Sequence, residues 1–393
     1  PPPPPPPPPP LEAVAGGLGA DGCWEAALAR HAVVAMGRLG GREIGYASDA
    51  DVLFVHEARD GADDAAAAQE AEAVAKQVVG LLASARPHPL EVDSDLRPEG
   101  RQGVMSRSLA AYGEYYGRWA ALWERQALLR ARACAGDREL GGRFEELINP
   151  LRWAEGGLST QDLREIRRIK ARVETERLPR GINPVRHLKL GPGGLSDVEW
   201  SAQVLQLAHA GQITGLRTTS TIAALQAAVQ GGLLSADDGG VLVAAWILAS
   251  RLRCAIVLGT GRASGPRSQV LPVQIREIRL VGRLIGLGSG RERELEDIYR
   301  RSARHTRAVA ERIVFADGGG VQESPSSASS PSTSTSAARD QAPSSAPGRS
   351  AAPAGKTRKR PRRDAGTTGT MRSRGTGRNR ATRRRPEGPY PWS

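Results

Sequence analysis

Ser48-Asp49-Ala50-Asp51 opens an apolar run that continues as Val52-Leu53-Phe54-Val55. Such a short Val- and Phe-rich run, bounded by Gly and Ser, reads as a buried strand. Strand side chains alternate faces, so Asp49 and Asp51 project from the same face, a few ångströms apart. Two like carboxylates held that close repel one another unless a cation lies between them. A hard divalent ion with oxygen ligands, Mg²⁺ above all, suits the pair. Glu91-Val92-Asp93 supplies a third carboxylate from a later short strand. Carboxylates at i and i+2 plus one from a neighbouring strand can hold two metals about 3.5–4 Å apart, which activates an attacking oxygen and stabilises a leaving one in phosphoryl or nucleotidyl transfer. Upstream, adjacent Gly40 and Gly41 let a backbone approach something closely and offer N–H groups to an anion. Asp-x-Asp alone is equally a solubilised strand edge. The Gly-Gly loop, Ser48 and the later Val-Asp move the reading towards chemistry.

These residues need an α/β frame. Residues 31–36, 51–55 and 90–92 read as strands, and 65–83, Ala-rich with Val74, Val78, Val79 and Leu82 at helical spacing, as the helix between the last two. From about Ser106 the period turns helical. Tyr112, Tyr115, Tyr116, Trp119 and Trp123 form a stripe expected to be core, and 160–178, 197–209, 219–230, 241–256, 273–285 and 292–314 read as further helices. The second Gly-rich loop, Gly191-Pro192-Gly193-Gly194, precedes Ser196 and Glu199 at capping-box spacing, so it reads as a structural helix start. Lys189 and the N–H groups at that start are also placed to meet a phosphate.

Charge excludes some classes. The chain has 393 residues with a formal net charge of +13, but 15 of its 55 basic and only 5 of its 42 acidic residues lie from Asp317 onward. The body is therefore nearly neutral, which disfavours a basic groove across the fold and makes nucleic acid an unlikely partner. The tail, rich in Ser, Ala, Pro, Gly and Arg, reads as disordered, and Pro1–Pro10 as polyproline II. The three cysteines are far apart and the six histidines never fall at ligand spacing, so no zinc site or disulfide framework is expected. The longest apolar run, 241–249, reads as too short to cross a bilayer and no leader is evident, so no membrane role is expected and the reading is cytoplasmic. The GxGxxG string at Gly17–Gly22 follows no strand, and Gly355-Lys356-Thr357 lacks the first Gly of a P-loop; neither supports a nucleotide site.

The Gly-Gly, Ser-Asp-x-Asp and later apolar-Asp resemble the nucleotidyltransferase superfamily that includes DNA polymerase β. Longer strings are more specific: residues 35–54, Glu91-Val-Asp-Ser-Asp-Leu-Arg-Pro-Glu-Gly100, residues 123–132, and His187-Leu-Lys-Leu-Gly-Pro-Gly-Gly-Leu-Ser-Asp-Val-Glu-Trp200 resemble the glutamine synthetase adenylyltransferase family in its actinobacterial form. The resemblance implies a polymerase-β-like α/β domain over 25–148, an all-α helical bundle over 149–316, and disordered 1–24 and 317–393. It implies Asp49, Asp51 and Asp93 as metal ligands, with Asp93 also taking the proton of an incoming tyrosine hydroxyl. Gly40, Gly41 and Ser48 would contact ATP phosphates. Arg97 and Arg130 would neutralise charge on pyrophosphate, an ion pair with Glu99 or Glu124 being the other reading. Asp95 is left outside the metal site.

The family has two homologous halves, one adding AMP to glutamine synthetase from ATP and one removing it by phosphorolysis; a PII-type signal protein is a further implied partner. Ser-Asp-Ala-Asp and Ser-Asp-Val-Glu-Trp look like the C-terminal, adenylylating half, so the expectation is Mg²⁺-dependent AMP transfer by a fragment or split gene product. Removal of AMP uses the same carboxylates and stays open; nucleic-acid binding through the tail is the reading of a different class.

Overall fold

Period-2 apolar residues build a mixed sheet whose two faces are covered differently. In a computed structural model the structure describes residues 27–86, 89–265 and 267–315. The polyproline run, the Gly17–Gly22 string, Cys23, His88, and the basic tail with its Lys-Thr sequence lie outside the described residues. β1 (Ala29–Ala35) runs through the short helix α1 (Gly37–Gly40) and a loop into β2 (Ala50–Ala58), which pairs antiparallel with β1. α2 (Asp64–Ser84) leads to β3 (Val92–Asp93), parallel to the start of β2 with Ala50 opposite Val92 and Asp51 opposite Asp93. β4 (Ser106–Ser108) pairs further along β2, and β5 (Arg132–Gly136) closes the other edge on β1.

Alternation decides which face each residue takes. Val52 and Phe54 pack with Ala75, Val78 and Val79 of α2, whose buried Ala67, Ala71 and Ala75 allow close approach. Leu53 and Val55 face the other core, where Tyr112 and Tyr116 of α3 (Leu109–Trp119), Leu128 of α4 (Leu122–Leu128), and Phe144 and Ile148 of α5 (Arg138–Arg152) gather. The Tyr112 and Phe144 rings meet edge-on at 5.1 Å.

The sequence reading locates β1 to β3 and α2 but misses β4, β5 and α5. Ser-Arg-Ser and Arg-Ala-Cys-Ala-Gly carry none of the β-branched or aromatic residues that mark a strand; pairing with β2 and β1 makes them strands. The aromatic stripe also needs correction. Tyr112 and Tyr116 are core, but Trp119 ends its helix 57% exposed.

α6 (Thr160–Glu176), α7 (Leu195–His209), α8 (Thr221–Gln230), α9 (Ala236–Thr260), α10 (Ile275–Leu284) and α11 (Leu295–Ala310) follow, the last ending in a widened π turn, Glu311–Phe315. Ser159, Ser220 and Ser235 cap three of them through their hydroxyls. The apolar run at 241–249 proves to be part of α9, whose 25 residues are long and apolar enough to cross a membrane. In this fold α9 is instead the central helix, burying Leu242, Trp246, Leu252 and Ile256 against α7, α8, α10 and α11.

One polar knot joins the sheet to these helices. Glu43, in the α1–β2 loop, accepts from Arg130 Nη1 at 2.6 Å, from the Thr221 N–H at 2.7 Å and from the Thr221 hydroxyl at 2.9 Å. Arg130 reaches on to Glu199 of α7 at 3.1 Å. A buried pair of this kind is costly to break from one side, because the survivor keeps its desolvated charge. Glu43→Ala is expected to lower unfolding stability by about 3–5 kcal/mol, measured by urea denaturation. In the double variant with Arg130→Met the two losses should fall short of additivity by more than about 1 kcal/mol.

Candidate active site

β2 and β3 are parallel where they meet, so their starts lie at the same sheet edge and bring Asp51 beside Asp93, with Asp49 just ahead of β2. One ligand oxygen from each of Asp49, Asp51 and Asp93 lies within 4.8 Å of the others. Backbone pairing holds this register: Met36 N–H donates to the Asp51 carbonyl at 2.8 Å and Ala50 N–H to the Glu91 carbonyl at 2.8 Å. Burial, then the charges of Asp49 and Asp93, push the Asp51 carboxyl up to about 7, with Lys189 opposing. Burial also pushes Asp93 up, while the Asp95 N–H donating to its Oδ1 at 2.7 Å pulls the other way.

Gly37 belongs beside this cluster, and the sequence reading does not single it out. It sits at φ +48°, and a Cβ there would stand 2.1 Å from Asp51 Oδ2, so a side chain would displace the carboxylate. The signal was present as Met36-Gly37 directly after an apolar run, but nothing in one sequence says which side chain packs over that glycine.

The expected close approach at Gly40 and Gly41 exists, but its partner is the chain itself. A Cβ on Gly40 would fall 1.8 Å from the Arg130 carbonyl oxygen, and one on Gly41 2.3 Å from Arg130 Nη1. Their N–H groups donate within the turn, to Met36 at 2.7 Å and Gly37 at 3.2 Å. The phosphate contact read for these two glycines finds no free donor here. Arg130 is likewise committed to Glu43, Glu199 and Thr221. Arg97 pins its own loop, donating to the carbonyls of Ser94 and Gly103 and to the Ser94 hydroxyl. Neither arginine takes the ion pair offered as the other reading, since Glu99 pairs with Arg107 and Glu124 accepts from the Tyr115 hydroxyl. Asp95 pairs its carboxylate with Arg101 at 2.5 Å and is not one of the three clustered ligands, though its charge still acts on Asp93.

The capping-box reading of Ser196 and Glu199 is corrected. Gly194 is the N-cap of α7, Ser196 lies inside the first turn, and Glu199 turns to Arg130. The N–H groups of Gly193, Gly194, Leu195, Ser196 and Asp197 all have acceptors within the 188–197 segment, so they are not open to a phosphate. Lys189 stays at the site: Asp49 and Asp51 both act on its ammonium, which burial lowers below its ordinary value. Arg253 acts on it, and Arg38 acts in turn on Arg253; neither arginine was singled out, because each belongs to an ordinary-looking helical or Gly-Arg sequence.

The donor set fits a hard divalent cation. It offers three carboxylates, two of them raised by burial and by neighbouring carboxylate charge, and the buried Ser48 hydroxyl one residue away has no hydrogen-bond partner among the described residues.

A family model described as "Glutamate-ammonia ligase adenylyltransferase" matches residues 22–147, and one described as "GlnD PII-uridylyltransferase" matches residues 165–314. A bifunctional glutamine synthetase adenylyltransferase/adenylyl-removing enzyme of Streptomyces coelicolor is 53% identical over 289 residues, 73% of this chain and 28% of that protein. Over this stretch the chain is similar to the glutamine synthetase adenylyltransferases. The likeness extends to the enzymes of Streptomyces avermitilis, 52% identical over 73% of this chain and 28% of that protein, and Nocardia farcinica, 48% over 74% and 29%. The chain spans under a third of the length of these relatives.

The electrostatics of the metal-free site are testable. Because Asp51 has a higher pKa folded than unfolded, its ionisation costs folding stability, a cost that begins above the unfolded value near 3.8 and is complete above about 7. Asp51→Asn is therefore expected to raise the melting temperature without divalent ions by a few degrees at about pH 8, the gain shrinking towards zero by about pH 4. Differential scanning fluorimetry across that range checks it.

Proposed function

We propose that this chain carries adenylyl transfer from ATP to a tyrosine of glutamine synthetase, with release of pyrophosphate, and corresponds to the C-terminal, adenylylating half of its relatives. The observation that carries the proposal is the convergence of Asp49, Asp51 and Asp93 at one sheet edge, in a chain about half identical to bifunctional adenylyltransferases. We read 25–148 as a polymerase-β-like domain doing the chemistry and 149–316 as a helical bundle presenting the protein substrate. A PII-type signal protein is the regulatory partner suggested by the second family match. A cytoplasmic setting goes with this role.

In this reading the tyrosine oxygen forms a bond to the α-phosphorus as the bond to the β-phosphate bridging oxygen breaks, and the electron pair leaves with pyrophosphate. The hydroxyl proton passes to the Asp93 carboxylate, which the Asp95 N–H steadies by donating to its Oδ1. Asp49 and Asp51 would hold Mg²⁺ together with Asp93; when bound, the ion neutralises developing charge on the phosphoryl oxygens. Gly37 leaves room for the Asp51 carboxylate, and the β2–β3 pairing keeps Asp51 and Asp93 abreast. Ser48 is the remaining phosphate contact we retain from the loop.

Intact-mass spectrometry of an actinobacterial glutamine synthetase incubated with this chain, ATP and Mg²⁺ tests the proposal. One AMP added per subunit, with the rate falling at least about a hundredfold in Asp49→Asn, is the expected result. No transfer by folded wild-type chain, with loss of AMP from tagged synthetase on adding phosphate, would reverse the direction.

A further inference from the structure

Charged side chains buried in this fold are generally answered. Arg130, Arg152, Lys170 and Arg186 each reach a carboxylate or a carbonyl oxygen, as desolvated cations must. Lys189 and Arg253 depart from this pattern. Both are half-buried, and neither side chain has a hydrogen bond or ion pair to a described residue. They also oppose each other: Arg253 adds to the drop that burial imposes on Lys189. The carboxylate that eases both, Glu199, is already spent on Arg130 at 3.1 Å.

Both residues stand within electrostatic reach of the carboxylates. On α9, Arg253 lies between two residues that touch the segment joining β1 to β2. Ser250 Oγ accepts from Arg38 Nη2 at 3.1 Å, and Cys254 Sγ lies 3.4 Å from where a Cβ on Gly45 would stand. Asp49 acts on Arg253 as it does on Lys189. Lys189 is carried by a rigid loop. Buried His187, held neutral by burial at about 4, accepts the Leu190 N–H on Nδ1 at 3.0 Å, and the Lys189 carbonyl accepts the Ser196 N–H at 2.9 Å. Gly193, at φ +72°, lets that loop lie against Ala303, whose carbonyl oxygen would be 1.8 Å from a Cβ. The Gly-Pro-Gly-Gly sequence therefore builds a mount for Lys189 rather than an N–H cradle.

With a divalent ion taking up the charge of Asp49 and Asp51, Lys189 and Arg253, close enough to act on one another, would have no counter-charge of their own. We propose that Lys189 and Arg253 form a phosphate-oxyanion pocket on the helical part, opposite the carboxylates, that receives the terminal phosphates of the nucleotide. The inference rests on the carboxylates being a metal-dependent transfer centre. In adenylyl transfer the pocket holds the pyrophosphate that departs with the electron pair of the broken bond; in phosphorolysis the same pocket holds the attacking inorganic phosphate. Phosphate oxygens are the shared chemistry.

The test is calorimetric titration of the full chain, with Mg²⁺, by α,β-methylene-ATP, pyrophosphate and inorganic phosphate. Arg253→Gln and Lys189→Met are each expected to weaken pyrophosphate binding about 10- to 100-fold, the loss of one charge-assisted contact, while AMP affinity stays within about twofold. Arg253→Lys should recover part of the loss. Pyrophosphate binding much tighter than inorganic phosphate supports a leaving-group pocket, and the reverse order an attacking-phosphate pocket. Wild-type affinities retained in folded variants would overturn the pocket and leave the transfer centre standing. Wild-type chain that binds none of the three probes would overturn both. Stabilisation of wild-type chain by pyrophosphate, read as a melting shift that high salt abolishes, provides a readout free of any variant.

Discussion

Three carboxylates within 4.8 Å of one another at the edge of a sheet, two of them, Asp51 and Asp93, partly desolvated, are the constraint around which the rest is arranged. Left alone they repel and destabilise the fold that holds them. The surrounding structure keeps them there regardless. Parallel pairing of β2 and β3 puts Asp51 abreast of Asp93, Gly37 vacates the space the Asp51 carboxylate occupies, and the buried strand behind them anchors the edge in two apolar cores. Perturbed carboxylates gathered in this way, with the cations of Lys189 and Arg253 acting on them, are what makes this edge the candidate site.

The cations come from the other side of the molecule, so the alignment of the sheet with the helices matters as much as the carboxylates. Glu43 and Arg130 provide it. Their shared network with Thr221 and Glu199 ties the loop ahead of β2 to the starts of α7 and α8, and the Arg38 and Arg130 guanidinium groups lie over the Trp246 ring at 4.8 and 5.9 Å. This accounts for the tight packing at Gly40 and Gly41. Those glycines let Arg130 through, which ties in α7, whose preceding loop carries Lys189, and, through Trp246, α9, which carries Arg253. Arg130 thus acts on the site by position.

Much of the site was legible because its logic is local. Asp49 and Asp51 share a strand parity that can be counted, and Val92-Asp93 is recognisable as a second apolar-acid pair. What could not be read is what crosses between distant segments. Gly40 and Gly41 announce a close approach without naming what approaches, and the answer lies about ninety residues away at Arg130. Arg253 sits in an apolar helix where one arginine looks like a solvated face, and only the packing of α9 against the Asp49 loop turns it towards the centre. Ser196 and Glu199 matched a capping pattern by spacing, but Gly194 took the cap because the preceding loop folds back to give the helix start its acceptors. β4 and β5 were invisible for a related reason. Their residues have little strand preference, and the partner strand supplies the conformation.

The most direct test of this account is a structure of the chain with Mg²⁺ and α,β-methylene-ATP. It should hold the ion between Asp49, Asp51 and Asp93, with the α-phosphate on the ion and the terminal phosphates at Lys189 and Arg253. A nucleotide bound elsewhere, or the three carboxylates without an ion beside a bound nucleotide, would contradict it.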